Sequence, residues 1–165
     1  MKLELKLTDR FEYESADWPC NDKTVDASDR RAWRLQHLDE LNSVQDEVLA
    51  RMEELKYLPR DQYSVLLGLL ESVVNAFKHG NKMQPEKSVI IDAAISADHA
   101  WFRIQDEGDG FDVEAVPDPT LPENVQKAHG RGIFMMRAFL DRVTYYGSGN
   151  IVTICKYRSR DEEAA

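Results

Sequence analysis

The chain has 165 residues, enough for one domain with a sizeable core, and its apolar fraction of 42% is ordinary for a globular protein. A net charge of −9 repels phosphate backbones, which argues against nucleic acid as a partner and favours a basic protein surface. Cys20 and Cys155 show neither metal-ligand spacing nor a CxxC pair and read as reduced thiols of a cytoplasmic protein. The charged start MKLELKLTDR is no secretory leader, and no run of about 18 apolar residues exists to span a membrane, so no membrane partner is expected.

Leu3, Leu5 and Leu7 alternate with charged residues, the pattern of a half-buried strand, and residues 8–31 read as an irregular extension. From about Arg30 to Tyr57, Leu38, Leu41, Val44, Val48, Met52 and Leu55 recur at helical spacing. His37 lies within that helix. A phospho-accepting histidine normally has an acid directly after it, whereas Leu38 follows here, so His37 reads as a surface residue. Pro59 closes the helix and Asp61 is placed to cap the next one.

That next helix, DQYSVLLGLLESVVNAFKHGN from Asp61, is apolar around most of its circumference and belongs in a core. Glu71, Asn75 and His79 nevertheless share one stripe at four-residue spacing, with Gly68 one turn earlier. Buried polar groups are costly unless something polar faces them. The stripe is therefore either a wet seam or a ligand contact.

Val89 to Ile95 and Trp101 to Asp106 alternate about a tight turn at Ala97–Asp98–His99 and form an antiparallel hairpin. Phe102, Ile104 and Asp106 share a face, so Asp106 points inward. Gly108 and Gly110 then allow a sharp turn and a close backbone approach to a ligand. Residues Asp112 to His129 hold three of the six prolines and are long enough to serve as a lid rather than a connector. Gly130-Arg131-Gly132 opens the apolar helix Ile133 to Leu140, where free backbone N–H groups and Arg131 suit a phosphate. A second hairpin, Val143 to Tyr146 and Ile151 to Tyr157, turns at Gly147–Asn150.

The three motifs ESVVNAFKHGN, DEGDGFD and GRGIFMMRAFLDRVTYY, in this order, resemble those of the GHKL ATPases, and most nearly those of the bacterial anti-sigma-factor serine/threonine protein kinases. The resemblance covers roughly Pro59 to Tyr157. It implies an α+β fold of Bergerat type, a two-layer sandwich of mostly antiparallel sheet with helices on one face. The implied organisation is an N-terminal extension over 1–31, an ATP-binding kinase-like domain over 32–158, and a disordered tail over 159–165.

By the same resemblance the cofactors are ATP and Mg²⁺. Asn75 corresponds to the metal-holding asparagine, Glu71 to the catalytic carboxylate, and Asp106 to the reader of the adenine amine. Gly108 and Gly110 correspond to the glycines under the base, and Gly130, Arg131 and Gly132 to the lid hinge and phosphate seat. His79 continues the binding stripe. The threonine that often completes the base pocket is Thr153, unless Asn150 replaces it. The implied partners are a sigma factor and a STAS-like anti-anti-sigma protein that is the phosphorylated substrate. Such kinases often pair, and the stripe of the Trp33–Leu55 helix offers a homodimer surface, although a core needs the same stripe. Two other functions fit the motifs: a nucleotide-dependent binding module without transferase activity, and a catalytic module for a separate histidine phosphotransfer protein.

Overall fold

The computed structural model describes residues 29–110, 112, 115, 121–124 and 131–160. The strand expected at Leu3–Leu7, Cys20, Gly130 and most of the expected lid lie outside the described residues.

The chain enters the sheet at β1, Arg30–Leu35. Here the expected helix is corrected. Trp33 and Leu35 alternate with Arg34, and β1 pairs antiparallel with the later strand β2, Val89–Ile95, setting Trp33 against Ile91 and Leu35 against Val89. Leu35 fits a three-residue helical spacing to Leu38 equally well, and pairing with β2 decides the conformation. The helix proper, α1, is Leu41–Glu54, and it buries Leu41, Val44, Val48 and Met52 as its spacing requires. His37 is exposed and precedes a short 3₁₀ turn, where its backbone N–H and that of Gln36 donate to the Glu40 carboxylate.

Helix α2, Pro59–Asn75, starts with proline in its first turn, where a missing N–H costs nothing. Asp61 is therefore not its cap. It is fully buried and accepts from both the backbone N–H and the hydroxyl of Ser159, each at 2.7 Å, with Lys156 Nζ at 3.9 Å. The tail expected to be disordered from residue 159 is thus held at its first residue. Nor is α2 buried all round, since Tyr63 and Leu70 are exposed and Tyr63 meets Phe139 edge-on. Asp61→Ala leaves the part-buried N–H and hydroxyl of Ser159 without their charged acceptor. It should cost about 2–3 kcal/mol of stability, read by chemical denaturation.

Beyond α2 the helix widens into a π turn, Ala76–Gly80. The hairpin of β2 and β3, His99–Gln105, follows as expected. Helix α3 is Arg131–Phe139, and β4, Arg142–Tyr146, pairs with β5, Ile151–Tyr157. The sheet is antiparallel with order β1-β2-β3-β5-β4. Val89, Ile91, Ala93 and Ile95, with Phe102, Ile104, Val152 and Ile154, form one core with Val65, Leu69 and Val73 of α2, Val48 and Met52 of α1, and Met136 of α3. Leu69 and Phe102 are fully buried, and truncating either to alanine removes about 2–5 kcal/mol of packing. On the opposite sheet face Ala94, Trp101 and Cys155 are also buried, and Arg103 pairs with Asp92 at 3.7 Å. Cys155 is buried and forms no disulfide among the described residues.

Among the described residues no helix is long and apolar enough to cross a membrane.

Candidate functional site

Helix α2 runs between α3 and the centre of the sheet, and its contacts lay out the site in order. Gly68 lets Leu140 and Ile154 press against the helix backbone, where a Cβ would stand 2.7 Å from Leu140 Cδ1. One turn on, the Glu71 carboxylate lies against Gly132 in the first turn of α3, and any side chain at Gly132 would overlap it. The N-terminus of a helix favours negative charge, which makes this a comfortable position for Glu71. Ser72 is buried between them, donating to the Gly68 carbonyl at 2.6 Å and reaching Met136 Sδ at 3.2 Å.

The next turn opens onto a cleft lined by Ser72, Asn75, Ala76, Ile104, Asp106, Tyr145, Asn150 and Val152. The Asn75 carboxamide faces it from α2 and Tyr145 from β4. Burial pushes the Tyr145 hydroxyl up to about 12, while the adjoining Asn75 amide pulls the other way. Asp106 closes the far side. Its carboxylate is buried at the end of β3, as the alternation of Phe102, Ile104 and Asp106 requires. Desolvation raises its carboxyl above its ordinary value, against the opposing pull of the Gly108 N–H, at 2.8 Å from Oδ1, and of Lys87. An acceptor held this way suits a donor from a ligand.

The expected Glu71–Asn75–His79 stripe stops at Asn75. The π turn closes five residues on, with the Asn81 N–H donating to the Ala76 carbonyl at 2.8 Å, and so adds one residue to the α register. Gly80 takes the place that continued α geometry would have given to His79. His79 is exposed and does not line the cleft. Gly80 sits against Asp106 so closely that any side chain would overlap the carboxylate, and Gly108 packs on the Gly80 carbonyl in the same way. Gly110, with φ of 81°, lies on the carbonyl of Ser148 in the β4–β5 turn. The glycines thus bring three backbone segments together around Asp106.

Thr153 is not in the cleft. It pairs with Arg103 and Thr144 and alternates with the core residues Val152 and Ile154, so it occupies the other sheet face. Asn150 lines the cleft instead, and its carbonyl accepts from the Asp106 N–H at 3.0 Å. Arg131 is exposed at the start of α3.

A profile of the histidine kinase-like ATPase domain matches residues 32–156. The chain belongs to this family. Its curated relatives include the serine-protein kinase RsbW of Listeria monocytogenes serovar 1/2a, 26% identical over 98 residues, covering 55% of this chain and 62% of that protein. The RsbW of Oceanobacillus iheyensis is 29% identical over 99 residues, covering 56% and 63%. An anti-sigma F factor of Clostridium perfringens is 30% identical over 82 residues, covering 48% and 59%. The chain therefore spans about three fifths of the length of these relatives.

In this histidine kinase-like ATPase domain the expected residues Asn75 and Asp106 line one cleft and Gly132 meets Glu71, whereas the sequence alone assigns no role to Ser72, Gly80, Asn81 or Tyr145. Gly80 ended a helical pattern, where glycine usually marks a C-terminus, and nothing in the sequence distinguished that from a close approach. Tyr145 had a signal. It alternates with Thr144 and Tyr146 on a strand paired to β5, and its partner Val152 faces the core.

Proposed function

We propose that the protein is an ATP- and Mg²⁺-dependent protein serine/threonine kinase acting as an anti-sigma factor in a partner-switching module. The observation that carries this reading is the meeting of Asn75 and Asp106 in one cleft, with Glu71 one turn from Asn75 on the same helix. The names of the relatives, serine-protein kinase and anti-sigma F factor, supply the substrate and partner classes.

The residues fit both ATP and Mg²⁺. The half-buried Asn75 offers one neutral oxygen, and among the described residues no cluster of three His, Cys, Asp or Glu side chains forms a metal cage of its own. Mg²⁺ is commonly held by one or two protein oxygens and shares the rest of its shell with phosphates and water, which matches this sparse donor set. Bound Mg²⁺ would neutralise phosphate charge. The Asp106 carboxylate would accept from the exocyclic amine of adenine, and Gly80 and Gly108 keep side chains away from it. Glu71 would orient the acceptor hydroxyl and take its proton. Asn75→Ala should lower ATP affinity about ten-fold in Mg²⁺ and leave Mg²⁺-free affinity nearly unchanged, as titration calorimetry would show.

One observation favours the second reading, a nucleotide-dependent binding module. Glu71 rests against Gly132 and does not line the cleft. Transfer itself separates the two. The protein is recovered with its bound partner, incubated with ATP and Mg²⁺, and the partner examined by mass spectrometry. Phosphoserine or phosphothreonine on the partner is the expected result. An unmodified partner that is retained only with nucleotide would replace the kinase reading by the binding-module reading.

A further inference from the structure

We propose that Asn81 is the positioning residue that holds Asp106 in its base-reading place, an inference that rests on the nucleotide reading of the cleft. Asn81 has no exposed surface, and its carboxamide is spent on two chain segments at once. Oδ1 accepts the Glu107 backbone N–H at 2.8 Å, and Nδ2 donates to the Ser88 carbonyl at 3.0 Å. Its backbone N–H closes the π turn on Ala76. One side chain thus ties the end of α2 to the start of β2 and to the end of β3.

The peptide it grips is the one that follows Asp106. On the other side, the Asp106 N–H is held by the Asn150 carbonyl at 3.0 Å. Both peptide N–H groups flanking the Asp106 side chain are therefore tied down, one by the Asn81 side chain and the other by the Asn150 carbonyl. With those two planes fixed, the carboxylate leaves the backbone in one direction, over Gly80 and onto the Gly108 N–H. A second clasp backs the first. The Glu107 carboxylate reaches the Ser88 N–H at 2.5 Å and its hydroxyl at 3.1 Å, and Arg34 Nε donates to that hydroxyl at 2.8 Å.

An apolar residue would join these segments without the desolvation cost of a buried carboxamide. What it would lack is a directed acceptor for the Glu107 N–H. Asparagine supplies that acceptor and a donor for Ser88 from one planar group. Moving a reading group by a fraction of an ångström weakens a directed bond far more than it weakens packing, so loss of Asn81 should appear in base selectivity.

The test compares ATP and GTP affinities by titration calorimetry for the wild type, Asn81→Ala, Asn81→Asp and Asp61→Ala, each below its unfolding transition. Asp61→Ala controls for lost stability, because Asp61 lies in the first turn of α2, about 20 Å along the helix from Asn75. The wild-type preference for ATP should fall about ten-fold in Asn81→Ala and hold in Asp61→Ala. Asn81→Asp keeps the acceptor for the Glu107 N–H and should recover most of the preference. If Asn81→Ala does not fold, Asn81→Ser, too short to bridge the two segments, carries the same comparison. A wild-type ratio near one overturns the nucleotide reading and this proposal with it. A large wild-type ratio that survives in Asn81→Ala, or in Asn81→Ser, overturns the positioning role alone.

Discussion

Glu71→Gln should leave ATP affinity within about two-fold of wild type and lower phosphoryl transfer by about two to four decades, the usual share of a positioned base. Glutamine keeps the length and polarity of the side chain, so the contact with Gly132 that locates it on α3 remains sterically possible. What it would lose is the capacity, proposed for Glu71, to take a proton from the acceptor hydroxyl. A residual rate is expected, because phosphoryl transfer depends heavily on positioning and charge, and Asn75 is untouched. The measurement is single-turnover transfer to the co-purified partner at saturating ATP. Equal rates for Glu71→Gln and wild type would leave the kinase in place and remove Glu71 as its base.

Asp106→Asn is expected to erase most of the preference for ATP over GTP, a change of about two decades in the affinity ratio. The wild-type carboxylate can only accept, which suits the exocyclic amine of adenine and opposes the carbonyl that guanine presents there. An amide can turn its NH₂ towards that carbonyl. Because a site built around one hydrogen bond rejects the mismatched base through an unpaired buried group, a single atom exchange has this reach. The carboxyl also carries a pH signature. Burial raises it above its ordinary value, and the bond proposed from adenine requires the ionised form. ATP affinity of the wild type should therefore decline as pH falls through that raised value, and Asp106→Asn should lack the decline. Calorimetry across a pH series reads both effects.

The features legible in the sequence were those governed by local periodicity. Alternation gave both hairpins and fixed the inward direction of Asp106, since parity along β3 leaves it no other face. The glycine pair around Arg131 marked the start of α3. Long-range effects were not legible. The choice between strand and helix at Arg30–Leu35 is made by β2, more than fifty residues later in the chain. Asp61 looks like a cap because its true partner, Ser159, lies near the other end of the sequence. Counting in fours puts His79 on the stripe, but the turn there closes in fives. Thr153 is a different case. It sits between Val152 and Ile154, and the same parity that placed Asp106 would have put it on the opposite sheet face, leaving Asn150 for the cleft.

Each role proposed for Asn75, Glu71 and Asn81 depends on the cleft being a nucleotide site read by Asp106. Titration calorimetry of the wild-type protein with ATP and with GTP, both in Mg²⁺ at neutral pH, tests this most directly. ATP is expected to bind at least about a hundred-fold more tightly than GTP. Equal affinities, or no heat with either nucleotide, would contradict it.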